Sequence, residues 1–199
     1  MNQQGAALVM SLLVIVCLSG LGLGLIAAGT AERHIAGNAR HAAETMAAAE
    51  AGIEGVLAEI AAAPSWSVLL SSAVSRFHDA THRPQTASRT TIDLDLVTTE
   101  IQADAAALYA LATNTPVWRL FAWGPLTTLA GLASSDSGAY VAVWLADDPA
   151  DADGSAVADA NGVIMLHSEA FGYGGTRRSV DVAIARAPTG VRVLSWRTH

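Results

Sequence analysis

Five aspartates stand close together in the last third of the chain: Asp147, Asp148, Asp151, Asp153 and Asp159. Calcium takes about 6–8 oxygen ligands, and a loop this rich in carboxylates is where the sequence could supply them. The spacing is not that of an EF-hand. With Asp151, Asp153 and Gly154 aligned to that motif, Pro149 takes the first ligand position and Ala160 the place of the bidentate glutamate. Calcium binding thus competes with a plain solvated loop that carries much of the negative charge, and no metal or other cofactor is assigned. His78 and His82 flank Asp79 and on a helix would share a face, as zinc ligands can, but no third ligand of suitable spacing follows them. They are read as surface histidines, and so are His34 and His41. The sequence shows no Gly-x-Ser-x-Gly, no phosphate-cradling glycine loop and no nucleophile beside its base, so no catalytic residue is named and the protein is not expected to be an enzyme.

Charge and cysteine content narrow the classes further. The 199 residues carry 11 Lys and Arg against 18 Asp and Glu, a formal net charge of −7. An acidic chain without a basic cluster has no surface to neutralise phosphates, so no nucleic-acid partner is expected. The single cysteine, Cys17, lies in an apolar run and has no intramolecular disulfide partner. A domain without disulfides must depend on its hydrophobic core.

What must position any chemistry begins at the N-terminus. After Met-Asn-Gln-Gln-Gly the chain turns apolar, and no charge appears before Glu32. As a helix the run from Ala6 to Ala28 rises about 34 Å at about 1.5 Å per residue, enough to cross a hydrocarbon core of about 30 Å. A secretory signal peptide would carry basic residues ahead of a shorter core of about 7–15 residues, and this segment does neither. Gly20, Gly22, Gly24 and Gly29 suit close helix packing, or a stretch able to unwind when the helix leaves a bilayer. Beyond Thr30 the residues Ile35, Ala39, Ala42, Met46, Ala49, Ile53, Val56 and Ile60 recur in alternating steps of four and three, a stripe down one helix face. Pro64 ends that helix near Ala63. Ile53, Val56, Leu57 and Ile60 are large enough to hold the chain's own sheet, whereas Ala39 and Ala42 suit contact with another helix.

Gly5 and the Gly-Ala-Ala-Leu start, the long apolar helix, Glu32-Arg33, Ala36-Gly37-Asn38 and Ala49-Glu50-Ala51-Gly52 together resemble the N-terminus of PilX-type minor pilins of type IV pili. More weakly, the segments Trp118–Leu126, Val143–Pro149 and Glu169–Gly172 look like the C-terminal region of larger PilX-like proteins. The resemblance implies a prepilin leader, residues 1–5, cut between Gly5 and Ala6 by a prepilin peptidase, with methylation of the new N-terminus. It implies other minor pilins, the major pilin, the inner-membrane assembly platform and the lipid bilayer as partners. It also implies a single-pass inner-membrane location with an extracytoplasmic C-terminal domain, and then a place in the cell-surface pilus, the fimbrium. There are two departures from the family pattern: the leader has no basic residue, and the fifth mature residue is Met10 where most pilins have Glu. Met10 points to a subunit that initiates assembly near the fibre tip. A pseudopilin of a type II secretion system, or a single-span envelope protein with a ligand-binding domain, would share the architecture.

The remaining segments are expected to be α+β, with the long N-terminal helix packed on a C-terminal antiparallel sheet. The expected division is leader 1–5, membrane and fibre-core helix 6–29, amphipathic continuation 30–63 and soluble domain 64–199. Trp66, Val68, Leu69, Leu70, Val74 and Phe77 are expected to pack a short helix or loop against the main helix. Alternation over Thr90–Val97 predicts a strand, and the Ala-rich Glu100–Leu111 a helix. Val117–Trp123, Tyr140–Leu145, Val163–Phe171 and Thr176–Arg186 read as strands, the last two joined through Gly172-Tyr173-Gly174-Gly175, and Val191–Trp196 as an edge strand.

Overall fold

The computed structural model describes residues 3–86, 88–129 and 138–199, with side chains from residue 7 onward. The chain divides into two units, Met1–Arg40 and His41–His199, and one helix, α1 (Gln3–Ala62), contributes to both.

In the first unit α1 is a helix long and apolar enough to cross a membrane. Every large apolar side chain from Leu8 to Ile26 is exposed. In water such a surface would be strongly unfavourable, at roughly 25 cal/mol per Å² left wet. Space is open around Gly20, Gly22, Gly24 and Gly29. Ile35 and Ala39, the first two residues of the predicted stripe, are exposed here as well.

In the second unit the rest of α1 becomes a packing element. Thr45, Ala48, Ala49, Gly52, Ile53, Val56 and Ile60 are buried, and their steps of three and four define one helix face. After Pro64 the chain turns, and α2 (Trp66–Ser71) buries Trp66, Leu69 and Leu70, whereas Val68 and Val74, expected to pack with them, are exposed: Val68 lies on the outer face of the short helix and Val74 beyond its end. The end of α1 leaves carbonyls without helical partners. Trp66 Nε1 donates to Ile60 O at 3.0 Å, Arg186 donates to Ala63 O at 3.2 Å, and the Arg186 guanidinium lies 4.8 Å above the Trp66 ring.

Five strands follow, β1 (Arg119–Pro125), β2 (Tyr140–Asp147), β3 (Val163–Phe171), β4 (Arg177–Ala187) and β5 (Gly190–Thr198). A four-residue helix, α4 (Leu126–Leu129), follows β1. Each strand pairs antiparallel with the next, so order in the sheet equals order in the sequence. Between β3 and β4 the turn places Gly174 and Gly175 at φ 67° and 80°, a left-handed region that glycine adopts without steric cost.

Both faces of the sheet are covered, which is why all eight residues of β2 are buried. Val141, Val143 and Leu145, with Ile164, Leu166, Val182 and Ile184, meet the buried face of α1 and α2. Tyr140, Ala142, Trp144 and Ala146 point the other way, into a second cluster with Leu94, Val97 and Ala105 of α3 (Leu94–Leu108).

Helix α3 corrects the strand expected at Thr90–Val97. Asp93 is its N-cap, accepting a hydrogen bond from Leu96 N at 3.2 Å, and Asp95 sits in the first turn where the helix dipole favours an acid. Leu94 and Val97 are buried and Leu96 is exposed, as a helix requires and a strand with Leu94 and Leu96 on one side does not. The helix expected at Glu100–Leu111 is the later part of α3, which stops at Leu108.

Candidate functional site

Two regions hold the residues singled out above. The first is the start of α1. Gly5 and Ala6 fall in its first turns, where the backbone is helical and the side chains lie outside the described residues. Met10 is 71% exposed, on a surface made of Leu8, Val9, Leu12, Leu13 and Val14. With no charge on it, this stretch can enter hydrocarbon without the penalty of a buried ion.

The second region is the connection from β2 to β3, which the aspartates organise through their own backbone. Asp148 accepts from Ala150 N at 3.0 Å and from Asn161 Nδ2 at 2.7 Å. Asp151 accepts from Ala160 N at 2.8 Å, Asp153 N at 3.1 Å and Asn161 N at 3.2 Å. Those N–H groups, Ala160 first, hold its carboxyl below the ordinary range. Asp153 accepts from Ser155 N at 2.7 Å, and Asp159 from Gly162 N at 2.7 Å and Val163 N at 3.2 Å. Burial raises the Asp159 carboxyl. The five acids do not all converge. Asp147, Asp151 and Asp153 each bring a carboxylate oxygen within 4.8 Å of the other two, while Asp148 and Asp159 stand outside that triplet.

Asp147 is fully buried at the end of the central strand. Asn114 Nδ2 donates to its Oδ2 at 2.6 Å and also reaches Asp148 O at 3.3 Å. Asn114, itself buried, was not singled out in the sequence, because its partner lies across the fold and no local pattern marks the pair.

The histidine pair takes another course. His78 and His82 lie in irregular chain instead of on a helix, and each is occupied: His78 Nδ1 by Ser75 O at 2.8 Å, His82 Nδ1 by Asp95 Oδ1 at 2.8 Å. Their rings pack on Trp123, with centroids 5.4 Å away for His78 and 4.9 Å for His82. His34 is exposed, and His41 lies 3.6 Å from Glu44 and stacks near Tyr173.

A charged row that the sequence reading missed crosses the α3 side of the sheet. Asp181 is shared by His167 Nδ1 at 2.6 Å and His199 Nε2 at 3.0 Å. Burial raises the Asp181 carboxyl, but the hydrogen bond and charge of His167, with those of His199, outweigh it and hold the group below its ordinary value. Beside them Arg177 pairs with buried Glu169 and with Glu100 of α3. The row borders an open groove of about 580 Å³ between α3 and strands β3–β5. Counting outward from the β3–β4 turn would have found the first pair, since Phe171 opposite Arg177 sets His167 opposite Asp181.

A bare apolar helix joined to an α+β domain describes a subunit whose N-terminal surface needs lipid or other helices to cover it. Residues 4–54 match the family model described as PilX N-terminal. The chain therefore carries a PilX-type pilin N-terminal domain, which relates it to the pilins of type IV pili and to interaction with other pilus components. No curated protein and no solved structure matches the chain.

Proposed function

We propose that the protein is a minor pilin, a structural and non-enzymatic subunit that helps initiate a type IV pilus and stays near its tip. The observation that carries this reading is the unbroken exposed apolar surface from Leu8 to Ile26 within the segment that matches the PilX N-terminal family. In the bilayer that surface is covered by lipid, and in the fibre by the helices of neighbouring subunits. The leader is removed between Gly5 and Ala6, and Met10 becomes the fifth residue of the mature chain. A glutamate there, as most pilins have, would offer a carboxylate to the N-terminal amine of the subunit added before it, an attraction that is strong in hydrocarbon. Methionine offers no such partner. The subunit that needs it least is the one with nothing before it.

N-terminal sequencing of the membrane-extracted protein tests the cut: Ala6 is the expected first residue, and an intact Met1 or a start near Thr30 contradicts it. Antibody labelling of sheared pili tests the place in the fibre. Label at one end supports the tip role, and label along the shaft at the density of the main subunit rules it out.

A further inference from the structure

The end of β2 carries a feature that pilus assembly does not use. Asp147 has one carboxylate oxygen held by Asn114, and the other, Oδ1, is buried with no hydrogen-bond partner among the described residues. The residue is 0% exposed. A buried anionic oxygen without a donor is costly, and native folds rarely leave one unexplained. Two further acids are brought to it: Asp151, also buried, and Asp153 at the surface, with one oxygen of each within 4.8 Å of the others. Two things could relieve this arrangement, a proton on Asp147 or a cation among the three acids.

We infer that Asp147, Asp151 and Asp153 form a calcium site that closes the connection between β2 and β3. The donors are all oxygens, which selects a hard cation and disfavours zinc or copper. Between the hard cations, calcium accepts irregular oxygen geometry, whereas magnesium demands a near-ideal octahedron and gives up its waters reluctantly, which a site with two ligands already fixed by the fold does not suit. Three carboxylates are fewer than the 6–8 oxygens that calcium takes, so water and main-chain carbonyls complete the shell and the affinity is moderate, about 10⁻⁵–10⁻³ M. Asp151 is already fixed by three backbone N–H groups and Asp147 by its strand and by Asn114, so two of the three ligands are in place before the ion arrives. Asp153, on the exposed loop, is the ligand at the entry side.

The test uses the full chain in detergent, stripped with EDTA and dialysed free of it, and titrated with calcium chloride by calorimetry and by thermal unfolding. One saturable site is expected, with a rise in Tm of about 3–10 °C at about 10 mM calcium. Magnesium chloride at the same concentration should give less than about a third of that rise, since it dehydrates reluctantly. Asp153→Asn is the informative variant, because the side chain is exposed and the amide oxygen can still accept from Ser155 N while the charge is lost. It should keep the metal-free Tm and weaken calcium binding at least about tenfold. Asp104→Asn, on the exposed side of α3, should bind as the parent does. The inference is overturned by the absence of a saturable calcium signal, which would leave Asp147 relieved by a proton. An equal response to magnesium, or undiminished binding by Asp153→Asn, would overturn it too.

Discussion

Gly52 shows how little room a single position leaves. A Cβ there would lie 2.6 Å from Val141 Cγ1 and closer still to Ser168 Oγ, so α1 meets β2 and β3 almost backbone to side chain. Alanine at this place gains about 1 kcal/mol of helix propensity but must push a buried β-branched neighbour aside, at about 1–3 kcal/mol. A net fall in Tm of about 2–6 °C is expected for Gly52→Ala. Ser168 Oγ is buried without a partner among the described residues. Adding Ser168→Ala removes that hydroxyl together with part of the clash, so the double variant should recover some of the loss, and strictly additive effects would count against the contact. Asp181 makes a different prediction. Its folded value lies below the unfolded one, so its contribution is present above the ordinary carboxylate range and is lost as pH falls through the folded value. Because its side chain is 42% exposed, the effect is small. Between pH 5 and pH 3 the Tm of Asp181→Asn should fall about 1–3 °C less than that of the parent, measured in the same buffers.

At the level of elements, the part of α1 that covers the sheet is the one to remove. Ile53, Val56 and Ile60 are fully buried and Leu57 packs beside them. Each such side chain contributes about 1.5–3 kcal/mol, and a domain's margin is about 5–15 kcal/mol. A chain beginning at Pro64 should therefore lose its cooperative thermal transition, while one beginning at Thr30 keeps it; equal melting of the two would refute the packing. The strands were legible because β2 to β5 alternate or run apolar between turn residues, and Gly174 and Gly175 mark their own turn. Helix α3 was not, because Ile92-Asp93-Leu94-Asp95-Leu96 alternates perfectly well for a strand over so short a run. The deciding signals were the Asp93 cap and the longer spacing through Val97, Ile101 and Ala105. Hence the cover on the second face of the sheet also went unread. The acidic connection was legible as a place, but not its triplet: which acids turn to backbone N–H groups and which face one another is set by the fold around Asn114.

For the whole molecule, the exposed apolar surface of the first unit and the well-buried core of the second predict different behaviour in a fractionated cell. The full chain should stay with membranes through washes in high salt and alkaline carbonate, whereas a chain from Thr30 to His199 should be soluble; release of the full chain by carbonate would contradict a spanning helix. The order of the sheet has a kinetic consequence as well. Because each strand pairs only with its neighbour in sequence, β1 to β5 can assemble through short-range contacts as the chain is made. The face of α1 that they need is made first, gains only α2 nearby, and waits for its strand partners until Phe121 of β1 and Val141 of β2 have been made. Closing that loop is the slow entropic step. Until it happens, Ile53, Val56 and Ile60 are the stickiest exposed surface of the second unit, and the place where a folding helper has most to hold there.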